Sequence, residues 1–149
     1  MPRSNRGRVL LSLALVFIGI GSIPVDFNSS HIFSPAWPAH ARYHDVMLLT
    51  VWAGVAAMAL WLLWRTSAEP QIGVIVATLV PLISTGSFFV ALLVLGASPM
   101  ISPDIPLPQI AGISIPPNLA AAGILFALTL VAYWLCRRDG IAQAPAVRS

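Results

Sequence analysis

A chain of 149 residues that is 58% hydrophobic and 9% charged, with a mean hydropathy of +0.86, is far more apolar than a water-soluble domain, in which about a quarter of residues are charged. Its net charge of +3 comes from arginines without any lysine, placed in short clusters beside apolar stretches, so nucleic acid is not an expected partner. A single cysteine, Cys136, excludes internal disulfides and mechanisms that need a cysteine pair. Composition therefore predicts a single transmembrane domain over residues 1–149.

Four apolar segments are long enough to cross the hydrocarbon core, which takes about 20 residues of helix. They cover residues 9–27, 44–64, 72–96 and 119–136. The second to third connection is a short turn, whereas the segments 28–43 and 97–118 form two loops on the opposite side, and a tail covers 137–149. The predicted fold class is all-α: an integral membrane four-helix bundle with up-and-down topology.

The arginines predict the orientation, because short cytoplasmic segments hold most Arg and Lys near span ends. All but one of them fall on one side of this topology: Arg3, Arg6, Arg8, Arg65, Arg137, Arg138 and Arg148. Arg42 is the exception. Both termini are therefore expected in the cytoplasm, and the protein is expected to be multi-pass in a bacterial inner membrane. A cleaved signal peptide is disfavoured for the first span, because its apolar run is long and no Ala-x-Ala-like site follows.

Small and hydroxyl residues predict which helix faces touch. Gly19, Gly21, Gly54 and Gly123 would permit close helix approach. In the third span, Pro81 breaks the helix hydrogen bonding beside Ser84, Thr85 and Ser87, and a kinked packing face is favoured there over a substrate-lining face. The 97–118 loop contains six prolines and is expected to be an extended cover over the outer mouth of the bundle.

The loop before the second span holds the main cluster of ionisable side chains. All three histidines, a tryptophan and two charged residues fall within residues 31–45: His31, Trp37, His40, Arg42, His44 and Asp45. Pro38 suits a first helical turn, so a helix beginning there would continue into the second span and place two of the histidines on one face. Arg42 is expected to pair with Asp45 or with Asp26, since a carboxylate near the end of the first span needs a partner.

Three interpretations of this cluster stay open. In the first, His31, His40 and His44 bind a divalent metal, with Asp45 or Asp26 as alternative third ligands, because a histidine pair four residues apart holds a metal once a third ligand arrives. In the second, a histidine acts as a general acid or base on an apolar substrate, since imidazole exchanges a proton near neutral pH. In the third, the cluster only anchors the loop at the lipid headgroups.

The same segment resembles a motif of small, uncharacterised bacterial membrane proteins: a histidine, Pro-x-Trp-Pro, then His-Ala-Arg-aromatic-His at the start of the second span. The matching residues are His31, Pro35, Trp37, Pro38, His40, Ala41, Arg42, Tyr43 and His44. Ser34 stands where the motif has asparagine. The resemblance implies a four-span membrane bundle and no activity. A looser likeness to the bundles of oxidase-associated accessory proteins and sterol-isomerase-like membrane proteins is architectural only.

These observations predict an outward-facing, histidine-rich polar pocket, covered by both loops, that binds a small apolar or lipid-like molecule. The candidate ligand-binding residues are His31, Trp37, His40, Arg42, His44, Asp45 and Asp26. Two alternatives remain: a non-catalytic accessory subunit of a larger membrane complex, and a small membrane enzyme that uses histidine acid–base or metal chemistry. The sequence identifies no catalytic residue.

Overall fold

The computed structural model of the chain describes residues 5–99, 107–110 and 112–141. Its helical elements, in chain order, are α1 (Arg6–Val16), a π-helical turn (Phe17–Gly21), α2 (Ile23–Asp26), α3 (Ala39–Trp64), α4 (Pro70–Ala91) and α5 (Pro117–Ile141). Two short strands, β1 (Gln109–Ile110) and β2 (Ile113–Ser114), precede α5. Arg3, Arg148, residues 100–106 of the proline-rich loop and residues 142–149 of the predicted tail lie outside the described residues.

Four helical segments are long and apolar enough to cross a membrane: Arg6–Asp26, Ala39–Trp64, Pro70–Ala91 and Pro117–Asp139. The first combines α1, the π-helical turn and α2. Large apolar side chains point outward from these segments, including Leu13, Ile83 and Ile124 at 61%, 61% and 63% exposure. An apolar surface of this kind is suited to lipid and not to water. The predicted all-α, four-helix fold is confirmed, and the protein is a multi-pass membrane protein in contact with lipid.

Each span packs against the next one along the chain, and α5 packs back against α1 to close the bundle. Since successive spans are antiparallel, the bundle has two chemically different ends. We call one the arginine end, because it carries Arg6, Arg8, Arg65, Arg137 and Arg138. The other is the histidine end, which carries the 27–38 loop between α2 and α3.

The helices are tightly packed in the half of the bundle nearer the arginine end. Their shared core consists of Leu11, Leu15, Ala56, Ala59, Leu63, Ala77, Val80 and Ala132. Alanine and other small residues let helix backbones approach closely, which matters in a membrane because lipid tails are as apolar as the helices themselves. Packing at this end therefore holds the four spans together.

Two glycines not singled out from the sequence mark the closest helix contacts. A Cβ atom on Gly7 would lie 2.6 Å from Cys136 Sγ and 2.7 Å from the Ala132 carbonyl oxygen, so α1 and α5 meet there. A Cβ atom on Gly73 would overlap the Leu62 carbonyl group, where α4 folds back on α3. Only a residue without a side chain allows either approach.

The four glycines predicted to allow close approach differ in their surroundings. A Cβ atom on Gly19 would lie 3.0 Å from Ala56 Cβ, so that prediction is confirmed. It is wrong for Gly54, which has no neighbouring atom within 4 Å. At Gly21 the nearest atoms belong to a ring of its own helical segment, and at Gly123 the nearest atom lies at an ordinary 3.8 Å.

The start of α3 and the end of α4 show how far the segment limits follow the sequence. α3 begins at Ala39, directly after Pro38, as the proline indicated. α4 continues unbroken through Pro81 and ends at Ala91, five residues before the predicted limit at Gly96. After Ala91, the backbone N–H groups of Leu92, Leu93, Val94 and Ala97 donate to carbonyls three residues earlier, so the helix gives way to turns. The predicted span extends beyond the helix because hydropathy measures the preference of side chains for lipid and carries no information about backbone hydrogen bonds.

The described part of the proline-rich loop contains a small hairpin. β1 and β2 pair antiparallel, with Gln109 opposite Ser114 and Ile110 opposite Ile113. Gly112 has φ +78°, the left-handed conformation that such a tight connection favours. The segment predicted to be an extended cover thus reverses direction between Ile110 and Ile113.

Arginine–tryptophan pairs cluster at the arginine end. The guanidinium carbon lies 6.0 Å from the ring centre in Arg8–Trp64, 5.1 Å in Arg65–Trp61 and 5.1 Å in Arg138–Trp134. The indole Nε1 of Trp64 also donates to Ser12 Oγ at 2.8 Å. Tryptophan favours the boundary between lipid and water, and a cation over its face adds an electrostatic attraction. These pairs indicate where one membrane surface meets the bundle.

Candidate functional site

A partly open cavity of about 440 Å³ lies between the four spans in the half nearer the histidine end. Its apolar wall consists of Phe17, Ile18, Val25, Leu48, Leu49, Trp52, Phe88, Ala91, Ala121, Ala122 and Leu125. Its polar lining consists of Ser22, Asp26, His31, Asp45, Ser84, Thr85, Ser87 and Asn118. The volume is within the range of about 300–1,000 Å³ typical of small-molecule sites, and a mostly apolar wall with a few polar groups is typical too.

The π-helical turn forms one side of this cavity. The backbone N–H of Ser22 donates to the Phe17 carbonyl at 3.1 Å, five residues earlier, and the Ser22 hydroxyl donates to the Ile18 carbonyl at 2.9 Å. The extra residue in the turn changes the direction in which the following side chains point. Phe17, Ile18 and Ser22, at the two ends of this turn, all line the cavity. Such turns inside helices occur frequently at functional sites.

The 27–38 loop is ordered by local contacts. Asn28 Oδ1 accepts hydrogen bonds from the Ser30 backbone N–H at 2.8 Å and from its hydroxyl at 2.6 Å. The Ile32 N–H donates to the Asp26 carbonyl at 3.1 Å, and the Ile32 side chain is buried. The rings of Phe27 and Phe33 meet edge to face at 5.0 Å between centres. The loop is therefore a folded cap that sets the position of His31.

Arg42 stabilises this loop and does not form the predicted ion pair. Its Nη2 donates to the Ser34 carbonyl at 2.9 Å and to the Trp37 carbonyl at 3.1 Å. Its Nε and the Oδ2 of Asp45 are both buried without a hydrogen-bond partner among the described residues. The expected pairing with Asp45 or Asp26 is wrong, because loop carbonyls left free by the turns take up the guanidinium.

His40 and His44 share a helix face, as the four-residue spacing indicated, and that face is exposed. Their Nε2 atoms are 3.0 Å apart, and the rings are nearly perpendicular with centres at 4.4 Å. The ring of Tyr43 lies 5.7 Å from that of His44. Neither histidine is among the residues that line the cavity.

His31, Asp26 and Asp45 are the candidate residues that the fold brings to the cavity. The three ionisable groups are close enough for Asp26 to interact electrostatically with both others and for Asp45 to interact with His31. His31 Nδ1 lies 3.0 Å from the Ser30 hydroxyl, and its ring contacts that of Trp37 at 5.6 Å. Trp37 thus packs against His31 without lining the cavity, whereas Trp52 lines the cavity directly.

The three histidines proposed as metal ligands do not come together. His40 and His44 face each other on the outside of α3, whereas His31 lies at the cavity. Across residues 5–99, 107–110 and 112–141, no group of three or more His, Cys, Asp or Glu side chains is placed to hold a metal ion. A histidine pair alone leaves a divalent ion short of protein ligands.

Comparison with known proteins gives one match. A family of unknown function, DUF6640, matches residues 10–144. The chain belongs to DUF6640. No curated protein and no solved structure is detectably similar to this DUF6640 chain. Membership agrees with the expected resemblance to an uncharacterised family, whereas the histidine-proline-tryptophan motif stays a prediction.

Several cavity residues of this DUF6640 protein were not recognised as site residues from the sequence. Ser84 and Thr85 were assigned to a packing face, and both are buried while also lining the cavity. Phe17, Ser22 and Asn118 gave no signal, because a π-helical turn and the first turn of a helix have no marked sequence pattern. The hydroxyl cluster after Pro81 was the one available clue.

Proposed function

We propose that this protein binds a small amphipathic, lipid-like molecule in the cavity at the histidine end. The observation that supports the proposal is the cavity itself, since it combines a mostly apolar wall with polar groups, of which Asp26, His31 and Asp45 lie toward the histidine end. A molecule with an apolar body and a polar head matches that distribution. A wholly apolar molecule would place the carboxylates of Asp26 and Asp45 against an apolar surface, which is unfavourable in a low-dielectric site.

The packing of the bundle supports a binding role. Buried side chains hold the spans together nearer the arginine end, and the same spans separate around the cavity nearer the other end. A rigid scaffold with an opening at one end is a common arrangement for ligand sites between helices of a bundle. Binding at such a site does not require the bundle to come apart.

The proposal includes a location and an orientation. We place the protein in a bacterial inner membrane with the arginine end in the cytoplasm, so that the cavity opens to the outer face. Five described arginines lie at that end, at Arg6, Arg8, Arg65, Arg137 and Arg138, whereas Arg42 alone lies at the other. An excess of arginine is typical of cytoplasmic segments.

A cavity-filling variant tests the binding proposal. Ala122 lines the cavity at 5% exposure, so Ala122→Phe places a ring in the space without changing charge. Ala127→Phe is the matched control, because Ala127 is exposed on the same helix and outside the cavity lining. Each protein would be purified into phosphatidylcholine nanodiscs, and organic extracts would be compared by mass spectrometry.

A small molecule should be enriched with the wild type and with Ala127→Phe, and lost from Ala122→Phe. Equal enrichment in all three preparations would contradict binding in this cavity. Size-exclusion chromatography establishes that Ala122→Phe remains folded. If neither the wild type nor the control retains any molecule, added decanol serves as a probe, and binding that Ala122→Phe does not weaken also rejects the proposal.

A further inference from the structure

The polar lining of the cavity offers hydrogen-bond acceptors and few free donors. The hydroxyl of Thr85 donates to the Pro81 carbonyl at 2.7 Å, and that of Ser87 donates to the Ser84 carbonyl at 2.7 Å. The Ser22 hydroxyl is used in the same way at 2.9 Å. A hydroxyl has one hydrogen to donate and two lone pairs to accept. These three hydroxyl groups therefore donate their hydrogens within their own helical segments, and they can only accept hydrogen bonds from a ligand.

The charged groups add to this imbalance. Asp26 and Asp45 both line the cavity, and a carboxylate accepts hydrogen bonds without donating any. The lining contains no arginine or lysine among the described residues, and the nearby Arg42 is engaged by the carbonyls of Ser34 and Trp37. Within the described part of the chain, no lining residue with a fixed positive charge balances the two carboxylates.

Asp45 provides an independent sign of a missing donor. Its Oδ2 is buried and has no hydrogen-bond partner among the described residues. A buried carboxylate oxygen without a donor is costly, and each such atom in a folded protein calls for an explanation. Asp45 also lines the cavity, and the terminal torsion of an aspartate is broad, so its carboxylate can turn to meet a donor on a bound molecule.

We propose that the molecule bound here is a cationic amphiphile whose ammonium group is held by Asp45 and Asp26. Its apolar body lies along Phe17, Leu48, Phe88 and Leu125, which line the same cavity. This inference rests on the proposed binding function and specifies the class of ligand.

An organic ammonium fits the site better than a metal ion. The described residues bring no three metal-binding side chains together, whereas a metal ion needs several protein ligands at fixed distances. An ammonium group donates up to three hydrogen bonds, and it does not require its acceptors to lie at fixed coordination distances. The hydroxyl oxygens of Ser22 and Thr85 are further acceptors that the lining provides.

Three probes with the same ten-carbon chain test the inference: decylamine, decanol and decanoate. Affinities for the full-length protein in phosphatidylcholine nanodiscs would be measured by titration calorimetry near neutral pH, with Ala122→Phe nanodiscs subtracted as the bilayer background. Decylamine should bind about tenfold more tightly than decanol, because a charge-assisted hydrogen bond is stronger than a neutral one. Decanoate should bind most weakly, since it meets two carboxylates.

Variants then assign the preference to the carboxylate. Asp45→Asn should remove most of the roughly tenfold preference for decylamine and leave decanol binding unchanged. Asp139→Asn is the matched control, because it makes the same chemical change near the arginine end, outside the cavity lining. If Asp45→Asn fails to fold, the comparison of the three probes on the wild type still decides the ligand class.

Each contrary result has a distinct meaning. If decanol or decanoate binds as tightly as decylamine, the ligand is not cationic, while the proposed binding function stands. If micromolar zinc displaces decylamine from the wild type and binds tightly alone, the carboxylates belong to a metal site and the inference is wrong. If no probe binds better to the wild type than to Ala122→Phe, the proposed function itself fails.

Discussion

The imidazole of His31 lies at the cavity, against Trp37 and beside the Ser30 hydroxyl, whereas those of His40 and His44 face each other on the exposed side of α3. His31→Ala should therefore weaken decanol binding by roughly twofold to tenfold, the loss expected for one hydrogen-bonding group. His40→Ala should leave it unchanged. Calorimetry on the nanodisc proteins checks both, and an equal loss in the two variants would mean that exposed histidines control binding.

A second prediction concerns Arg42, because one of its guanidinium nitrogens donates hydrogen bonds to two backbone carbonyls of the 27–38 loop. Arg42→Ala should loosen the loop, with a loss of about 1.5–3 kcal/mol typical of hydrogen bonds to a charged group. Chymotrypsin cleavage after Phe33 should then be faster by roughly tenfold or more. Arg65→Ala, whose parent side chain lies over Trp61 at the other end of the bundle, is the control. An unchanged cleavage rate in Arg42→Ala would show that the 27–38 loop keeps its conformation without the hydrogen bonds of Arg42.

The histidine cluster shows how far the position of a single side chain can be predicted from the sequence. Helix periodicity was sufficient to predict that His40 and His44 share a face. It was not sufficient to predict that the face is exposed, because α3 is apolar on all sides and has no hydrophobic stripe to mark its inward direction. The partners of Arg42 depended on the folded loop, whose free carbonyls no local pattern reveals.

At the scale of elements, Gly73 and Gly54 form a matched pair. Gly73→Ala places a methyl group against the Leu62 carbonyl and should destabilise the α3–α4 contact by about 1–3 kcal/mol, as overpacking does. Gly54→Ala meets no atom within 4 Å and should be neutral or stabilising by up to about 1 kcal/mol, since alanine favours helix. Unfolding of both variants in detergent measures the difference. A Gly73→Ala variant as stable as the wild type would mean that the helices shift apart freely.

The elements themselves follow from hydropathy, and their details do not. Four apolar runs predicted four helices because a backbone in lipid has to satisfy its hydrogen bonds within each segment. The end of α4 at Ala91 and the π-helical turn at Phe17–Gly21 were missed. Both depend on whether each backbone N–H donates to the carbonyl three, four or five residues earlier. Side-chain polarity carries little information about which of these carbonyls accepts the hydrogen bond.

For the whole molecule, the orientation is testable by labelling. In a Cys136→Ala background, Ser29→Cys reports the histidine end and Ala68→Cys reports the arginine end, and both positions are exposed. With the arginine end in the cytoplasm, a membrane-impermeant maleimide added to intact spheroplasts should modify Ser29→Cys and leave Ala68→Cys unmodified. Permeabilised cells, in which both should react, provide the control. The opposite labelling pattern would place the cavity on the cytoplasmic side.

The global architecture was predictable from the sequence, whereas the lining of the cavity was predictable only in part. Span number and antiparallel order follow from segment length and short connections. The cavity results from the difference between a half packed around Leu11, Leu15 and Leu63 and a half in which the same helices separate. That difference depends on close backbone contacts such as the one at Gly7, which appear only once the helices are paired.

The separation of a packed half from an open half also affects how this protein can change over evolutionary time. If the cavity binds a ligand as proposed, substitutions along the wall at Leu48, Phe88 or Leu125 would change which molecules fit, while the distant core keeps the scaffold intact. Ligand selectivity could then change during evolution at little cost in stability.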